Sequence, residues 1–183
     1  MYHIEGSIKF IADILFNKPT VAAIASTESG QRGKKKTVDQ KIEETAQMVH
    51  RNGDGKTIVL LGDSFKQSLL YGSKLAGLKI GKRSIYGMLD ALVFPEDLSF
   101  ETDVPDYIHT HHGRVPPRTG ALVIIRRPAF KAGRALKFKM LVADDVIEAD
   151  QIKIAIETAG MLCGVGSWRP KYGRFQLTQW KVS

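Results

Sequence analysis

The stretch from Gly164 to Phe175, Gly-Val-Gly-Ser-Trp-Arg-Pro-Lys-Tyr-Gly-Arg-Phe, constrains the fold more than any other part of the chain. Gly164, Gly166 and Gly173 permit positive φ and close backbone approach, and Pro170 fixes the φ at the middle. Such spacing builds a shaped loop rather than a flexible one. The same loop carries the cations Arg169, Lys171 and Arg174 and the aromatics Trp168, Tyr172 and Phe175. Cations beside aromatic faces neutralise phosphates and stack bases, which is how sequence-tolerant proteins hold a single strand. The plainer alternative is a tight helix-to-strand turn in which Trp168 and Phe175 cap the core and the charges face water.

The flanks of the loop have readable periods. Before it, Asp150 is positioned to cap a helix running to Gly160 with Ile152, Ile156 and Ala159 inward; after it, Arg174 to Trp180 reads as a closing strand. Residues 2–10 alternate apolar and polar from Ile4 to Phe10, the period of a half-buried strand. Gly62-Asp63-Ser64 supplies a helix start, and Phe65, Leu69, Leu70 and Leu75 an inward stripe up to Gly77. Thr37 with Gln40 forms a capping box for a helix to Arg51 with Val38, Ile42, Ala46 and Val49 on one side. Ala91 to Phe94 reads as a short strand ending at Pro95, and residues 96–117 as a protruding loop or hairpin. Ala121 to Ile125, running into Arg126-Arg127-Pro128, and Ala135 to Val142 read as two strands joined through Gly133 as an antiparallel pair. In the second, Leu136, Phe138 and Met140 alternate with Lys137 and Lys139, so one face is apolar and the other basic.

In chain order the core elements are strand, helix, strand, strand, helix, strand. That βαββαβ order predicts an α+β, ferredoxin-like (RRM-like) domain, single over residues 1–183, with insertions at about 11–56 and 78–117. Helices cover one face of such a sheet, and the other is free to bind.

Composition matters here through charge. The formal net charge is +8 over 183 residues, and the cations cluster at Arg32 to Lys36, Lys79 to Arg83, Arg114 to Lys139 and Arg169 to Arg174. A polyanionic partner is favoured. The single cysteine, Cys163, rules out an intramolecular disulfide. No apolar run is long enough to span a bilayer and no leader pattern opens the chain, so no membrane partner and a soluble, cytoplasmic protein are expected.

The hairpin, the Asp-capped helix ending in Ala-Gly and the motif Gly-x-Gly-x-Trp-Arg-Pro-x-Tyr-Gly-Arg-Phe resemble a family of small phage-encoded proteins of uncertain role, over about residues 114–180. The Gly-rich loop and element order also look distantly like the RAMP superfamily, the ferredoxin-like backbone subunits of CRISPR effector complexes. That likeness implies that Gly164, Gly166, Arg169 and Arg174 lie near a nucleic-acid path, that copies stack along a strand, and, if the chain is phage-encoded, that its compartment is the infected host cell.

The expected function is non-enzymatic binding of single-stranded DNA or RNA along a basic sheet face and the Gly-rich loop. Arg126, Arg127, Lys137, Lys139, Arg169, Lys171 and Arg174 are assigned to phosphates, Trp168 and Tyr172 to stacking, Gly164 and Gly166 to loop shape, and Lys34, Lys35 and Lys36 to an exposed basic loop. No cofactor is expected. One alternative is a metal-dependent nuclease or RNA-processing enzyme using His109, His111 and His112 with Asp103 and Asp106 nearby. The spacing argues against it, because in an extended segment His109 and His111 share a face while His112 points away. A third reading is a phage structural or inhibitory protein that binds a host protein. Nucleophile-elbow and dinucleotide-binding patterns are absent, and Gly53 to Thr57 lacks the first glycine of a phosphate loop. Copies are expected to line up as a homo-oligomer or filament, with the insertions and the apolar segment Val21 to Ala25 available for packing.

Overall fold

The computed structural model describes residues 1–19, 36–114 and 122–183, which leaves Lys34, Lys35 and the segment Val21 to Ala25 outside the described residues. In chain order the described part begins β1 (Tyr2–Phe10), β2 (Ile14–Leu15), α1 (Val38–Ala46), β3 (His50–Arg51), β4 (Ile58–Leu60) and α2 (Gly62–Leu75). It continues β5 (Lys79–Ile80), β6 (Arg83–Ser84), α3 (Tyr86–Leu92), β7 (Val93–Pro95), β8 (Leu98–Ser99) and β9 (Tyr107–Arg114). Last come β10 (Leu122–Phe130), β11 (Ala135–Val142), α4 (Ala149–Thr158), a π-turn (Ala159–Cys163) and β12 (Phe175–Val182).

Four strands form the principal sheet in the order β12-β1-β11-β7, with every neighbour antiparallel. Taken with α2 and α4 these strands make the βαββαβ unit, and the fourth-first-third-second strand order is that of a ferredoxin-like α+β fold. Strand alternation explains which face is covered. Ile4, Ile8, Leu136, Phe138, Met140 and Val142 are buried, together with Phe65, Leu69 and Leu70 of α2 and Ile152, Ala155 and Ile156 of α4. Each large side chain so buried contributes about 1.5–3 kcal/mol. The helices approach closely because Gly72 has no side chain: a Cβ there would lie 2.2 Å from the Ala155 carbonyl oxygen.

A second, three-stranded sheet, ordered β2-β10-β9, stands beside this unit. Phenylalanines fasten the two together. Phe100 stacks on Phe130 of β10 at 4.2 Å and on Phe10 of β1 at 6.2 Å, and Phe16 meets Phe100 and Phe130 edge-on at 5.6 and 5.7 Å. Aromatic pairs in these geometries add about 0.5–1.5 kcal/mol each beyond burial.

Several expectations are corrected by these contacts. Of the expected strand 121–128, residues 122–128 do not pair with 135–142, and the second core strand is β7, inside the expected insertion at 78–117. β10 pairs with β9 and β2, while β11 lies between β1 and β7. The connection through Gly133 is a crossover held by distant carboxylates: Asp106 accepts from the Lys131 amide and pairs with Arg134, and Asp13 accepts from the Ala132 amide. Helix caps also differ. Gly62 at the start of α2 donates to Asp97 at 2.7 Å, and α4 is capped by Glu148 with Gln151 rather than by Asp150. The Thr37–Gln40 capping box forms, but α1 stops at Ala46 and leaves Val38 59% and Ile42 40% exposed. Leu75 is exposed as well.

Candidate nucleic-acid interface

Hydrogen bonds to neighbouring elements hold the loop of residues 164–175 in shape. Its backbone is tied to β2 by Ser167 donating to the Leu15 carbonyl, to the residue before β2 by Gly173 donating to the Asp13 carbonyl, both at 2.8 Å, and to α2 by the Ser68 hydroxyl donating to the Gly164 carbonyl at 2.8 Å. Val165 donates to the Gly173 carbonyl across the loop at 2.9 Å. Gly173 sits at φ 72° with the Val165 carbonyl oxygen 1.8 Å from where a Cβ would be, so only glycine closes this turn. Trp168 itself adopts φ 57°, a strained conformation for a bulky residue that the surrounding ties hold in place.

That conformation sends Trp168 and Tyr172 toward the second sheet. On one face of β9 and β10 the register sets Arg127 beside His109 and Ile125 beside His111. The Arg127 guanidinium lies over the Trp168 ring at 4.4 Å, and His111 and His109 meet that ring edge-on at 4.9 and 5.8 Å. Tyr172 closes the group, with its ring 5.3 Å from His109 and its hydroxyl 3.4 Å from His109 Nε2. Lys171 stands at the rim, its amine 5.6 Å from the Tyr172 ring centre. We call this group the aromatic box. Below it, the Tyr107 hydroxyl donates to Asp13, and burial, then that bond, pushes the phenol's pKa well above its ordinary value.

Electrostatics in the box follow from partial burial. Burial, then the charges of His111 and Lys171, hold the His109 pKa below the usual imidazole range, with Asp13 opposing. The ring is therefore neutral at pH 7. Burial also lowers the Arg127 pKa, although a guanidinium keeps its charge. Arg127 Nε is buried with no hydrogen-bond partner among the described residues, and the cation rests on the indole face.

A second group of expected residues lies elsewhere. Lys137 and Lys139 sit on the face of the principal sheet opposite the helices. Cross-strand register sets Lys139 beside Glu5, which faces Lys181; Lys137 beside Ser7, which faces Gln179; and Ala135 beside Lys9, which faces Gln176. Lys9 and Lys181 were not singled out from the sequence, yet the alternation that buries Ile8 and Phe10 would have marked Lys9. Glu5 is the carboxylate among these positions, 3.8 Å from Lys139, and such an exposed pair is worth little. An open groove of about 580 Å³ runs over this face between Lys137, Lys139 and Lys181 and the turn carrying Glu96 and Asp97.

The remaining expected residues divide between these places. Arg174 leaves the loop toward the sheet, its carbonyl accepting from the Ile11 and Ala12 amides just past Lys9. Arg126 pairs in register with Thr110 and so lies on the face of β10 opposite Arg127. Arg169 turns away from the box and, with Pro170, lines a groove against Tyr71, Lys74, Leu75, Leu162 and Cys163. Lys36 pairs with Glu44 at 2.6 Å. His112 is exposed and takes no part in the box, whereas His109 and His111 share a face as their spacing implied. Among the described residues no group of three or more His, Cys, Asp or Glu could hold a metal, and no helix is long and apolar enough to cross a membrane.

No protein-family model and no curated protein matches the sequence. Solved structures do match. A chain of the cryo-EM structure of the Type III-B Cmr-beta bound to cognate target RNA superposes with a TM-score of 0.60 at 11% identity, covering 99% of this chain and 60% of that one. This chain shares its fold with that chain. Cmr6 from Pyrococcus furiosus also aligns, at 12% identity over 96% of this chain and 98% of that one, with a TM-score of 0.49. The chain spans 60% of the length of the Cmr-beta chain it matches.

Proposed function

We propose that the chain is a non-enzymatic nucleic-acid-binding protein, a single domain over 1–183, that holds single-stranded DNA or RNA. The aromatic box takes bases, and the cationic sheet face takes phosphates. The carrying observation is the box: the indole and phenol of a rigid loop grouped with two imidazoles of β9, with Arg127 and Lys171 beside them. Stacking surfaces with adjacent cations suit unstacked bases and their phosphates, whereas a duplex keeps its base faces covered. Lys9, Lys137, Lys139 and Lys181 extend the cationic track, and Arg174 leads into it from the loop. Gly164 and Gly166 serve by shaping the loop.

The Cmr-beta structure that shares this fold is bound to target RNA, which supports the reading. We place the activity in the cytoplasm, of an infected cell if the phage-protein likeness holds, and in an assembly of copies along one strand. Filter binding of single-stranded RNA, single-stranded DNA and duplex at low salt tests the proposal. Retention of single strands in preference to duplex is expected, and no retention of either single strand overturns it.

A further inference from the structure

Among the described residues two apolar surfaces are exposed, and their charges are opposite. The first is on the helical layer. Tyr71 and Leu75 at the end of α2 and Met161 and Leu162 of the π-turn are 48, 60, 49 and 57% exposed. Some of these side chains line a shallow groove of about 370 Å³ whose charged residues are Lys74 and Arg169, with no carboxylate in its lining. Among the described ion pairs neither cation has a partner. Large apolar side chains grouped at a surface mark a docking site.

The second surface is α1. Val38 and Ile42, four residues apart, make an exposed apolar stripe, and Asp39 and Glu43 make an acidic stripe beside it. A helix of this kind fits an apolar groove with a basic rim. α1 packs on β9 and β10, whereas the groove is built from α2, the π-turn and the Gly loop, so the two surfaces belong to different layers of the fold.

We propose that the groove receives α1 of a second copy of this chain: Val38 and Ile42 enter between Leu75 and Leu162, and Asp39 and Glu43 face Lys74 and Arg169. The occupant is chosen by charge complementarity, since the groove requires an acidic amphipathic segment and the chain itself supplies one. Because the two surfaces differ, the contact is head-to-tail and leaves one free surface at each end, which extends into an open array unless the rotation closes a ring. The inference rests on the assembly part of the proposed function and gives Arg169 a role in copy-to-copy contact instead of phosphate binding.

The test uses two variants of the full chain, L75E/L162E in the groove and V38E/I42E on α1. All four positions are exposed, and near-UV circular dichroism verifies that both variants fold. Sedimentation velocity should show the parent chain forming concentration-dependent oligomers that weaken with salt, each variant alone monomeric, and an equimolar mixture forming a one-to-one dimer through the intact surface of each. Lys74→Glu should weaken assembly, with Glu43→Lys in the same chain restoring it. A monomeric parent chain at every concentration, assembly of either folded variant by itself, or a mixture that stays monomeric overturns the proposal. Anisotropy with an oligonucleotide short enough for one copy reports nucleic-acid binding separately, so loss of assembly and loss of binding are distinguishable.

Discussion

The sheet face and the aromatic box were built by opposite means. On the sheet, β-strand alternation puts Lys9, Lys137, Lys139 and Lys181 outward as a by-product of burying Ile8, Leu136, Phe138 and Met140 inward, and these lysines are exposed on flexible stems. In the box, Arg127, His109, Trp168 and Tyr172 are half-buried and held by one another and by a strained loop. Charge without stacking partners gives binding that is steep in salt and indifferent to the base; stacking surfaces with little free charge give binding that is shallow in salt and only modestly sensitive to the base. Under the proposed function, this contrast assigns different parts of one affinity to different residues.

Breaking the scaffold that joins the two regions should have the largest effect. Phe100→Ala removes the ring that bridges Phe10 and Phe130, and a loss of about 3–5 kcal/mol in stability is expected from chemical denaturation. An unchanged midpoint would show that the two sheets are not coupled through this stack. Gly173→Ala attacks the box alone, since it forces a Cβ against the Val165 carbonyl at positive φ; a cost of about 1–3 kcal/mol is expected, with the loop rather than the sheet disordered by hydrogen exchange.

These two residues also show what could be read from the chain. The glycines and Pro170 announced a shaped loop, and period-two alternation announced β1, β11 and the basic face, because those signals are local. The partner of β11 was not legible. Segments 91–94 and 121–125 are both short apolar runs, and what separates them is Asp106 and Asp13 holding the crossover open from far away in sequence. The same holds for Asp97 capping α2 across 35 residues. His109 and His111 could be placed on one face by their spacing, but their meeting with Trp168, more than 50 residues on, depends on the register of β9 with β10 and on the loop conformation.

Binding effects come next in size. Trp168→Ala should weaken a single strand by about 1–3 kcal/mol with the salt slope unchanged, because it removes a stacking face and no charge. Lys137→Gln with Lys139→Gln should lower the slope of log K against log salt by about 1.4 while leaving base preference alone. If Trp168→Ala instead changes the slope and the lysine pair does not, the assignment of roles is wrong.

The smallest effect is on pH. His109 and His50 both have pKa values depressed, chiefly by burial, so the unfolded chain binds more protons than the folded one in the window below pH 6.5. Stability contributed by keeping them neutral is fully present above pH 6.5 and falls as pH drops toward their folded values. Thermal unfolding should show that decline, and His109→Gln should reduce it. A midpoint that rises on acidification through this window would contradict the burial of the ring.

The central claim, that one chain binds a single strand through a stacking site and a separate cationic track, is tested most directly by a salt titration. Anisotropy of a labelled strand of roughly 12 nucleotides, within the span such sites cover, is followed over rising salt for the parent chain, Trp168→Ala, the Lys137 and Lys139 double variant and the triple variant. The account predicts parallel lines for the parent and Trp168→Ala, a shallower line for the lysine variant, and energies that add in the triple variant because the two groups stand at different sheets and share no contact among the described residues. Absence of binding by the parent at low salt, or binding without steep salt dependence, would contradict it.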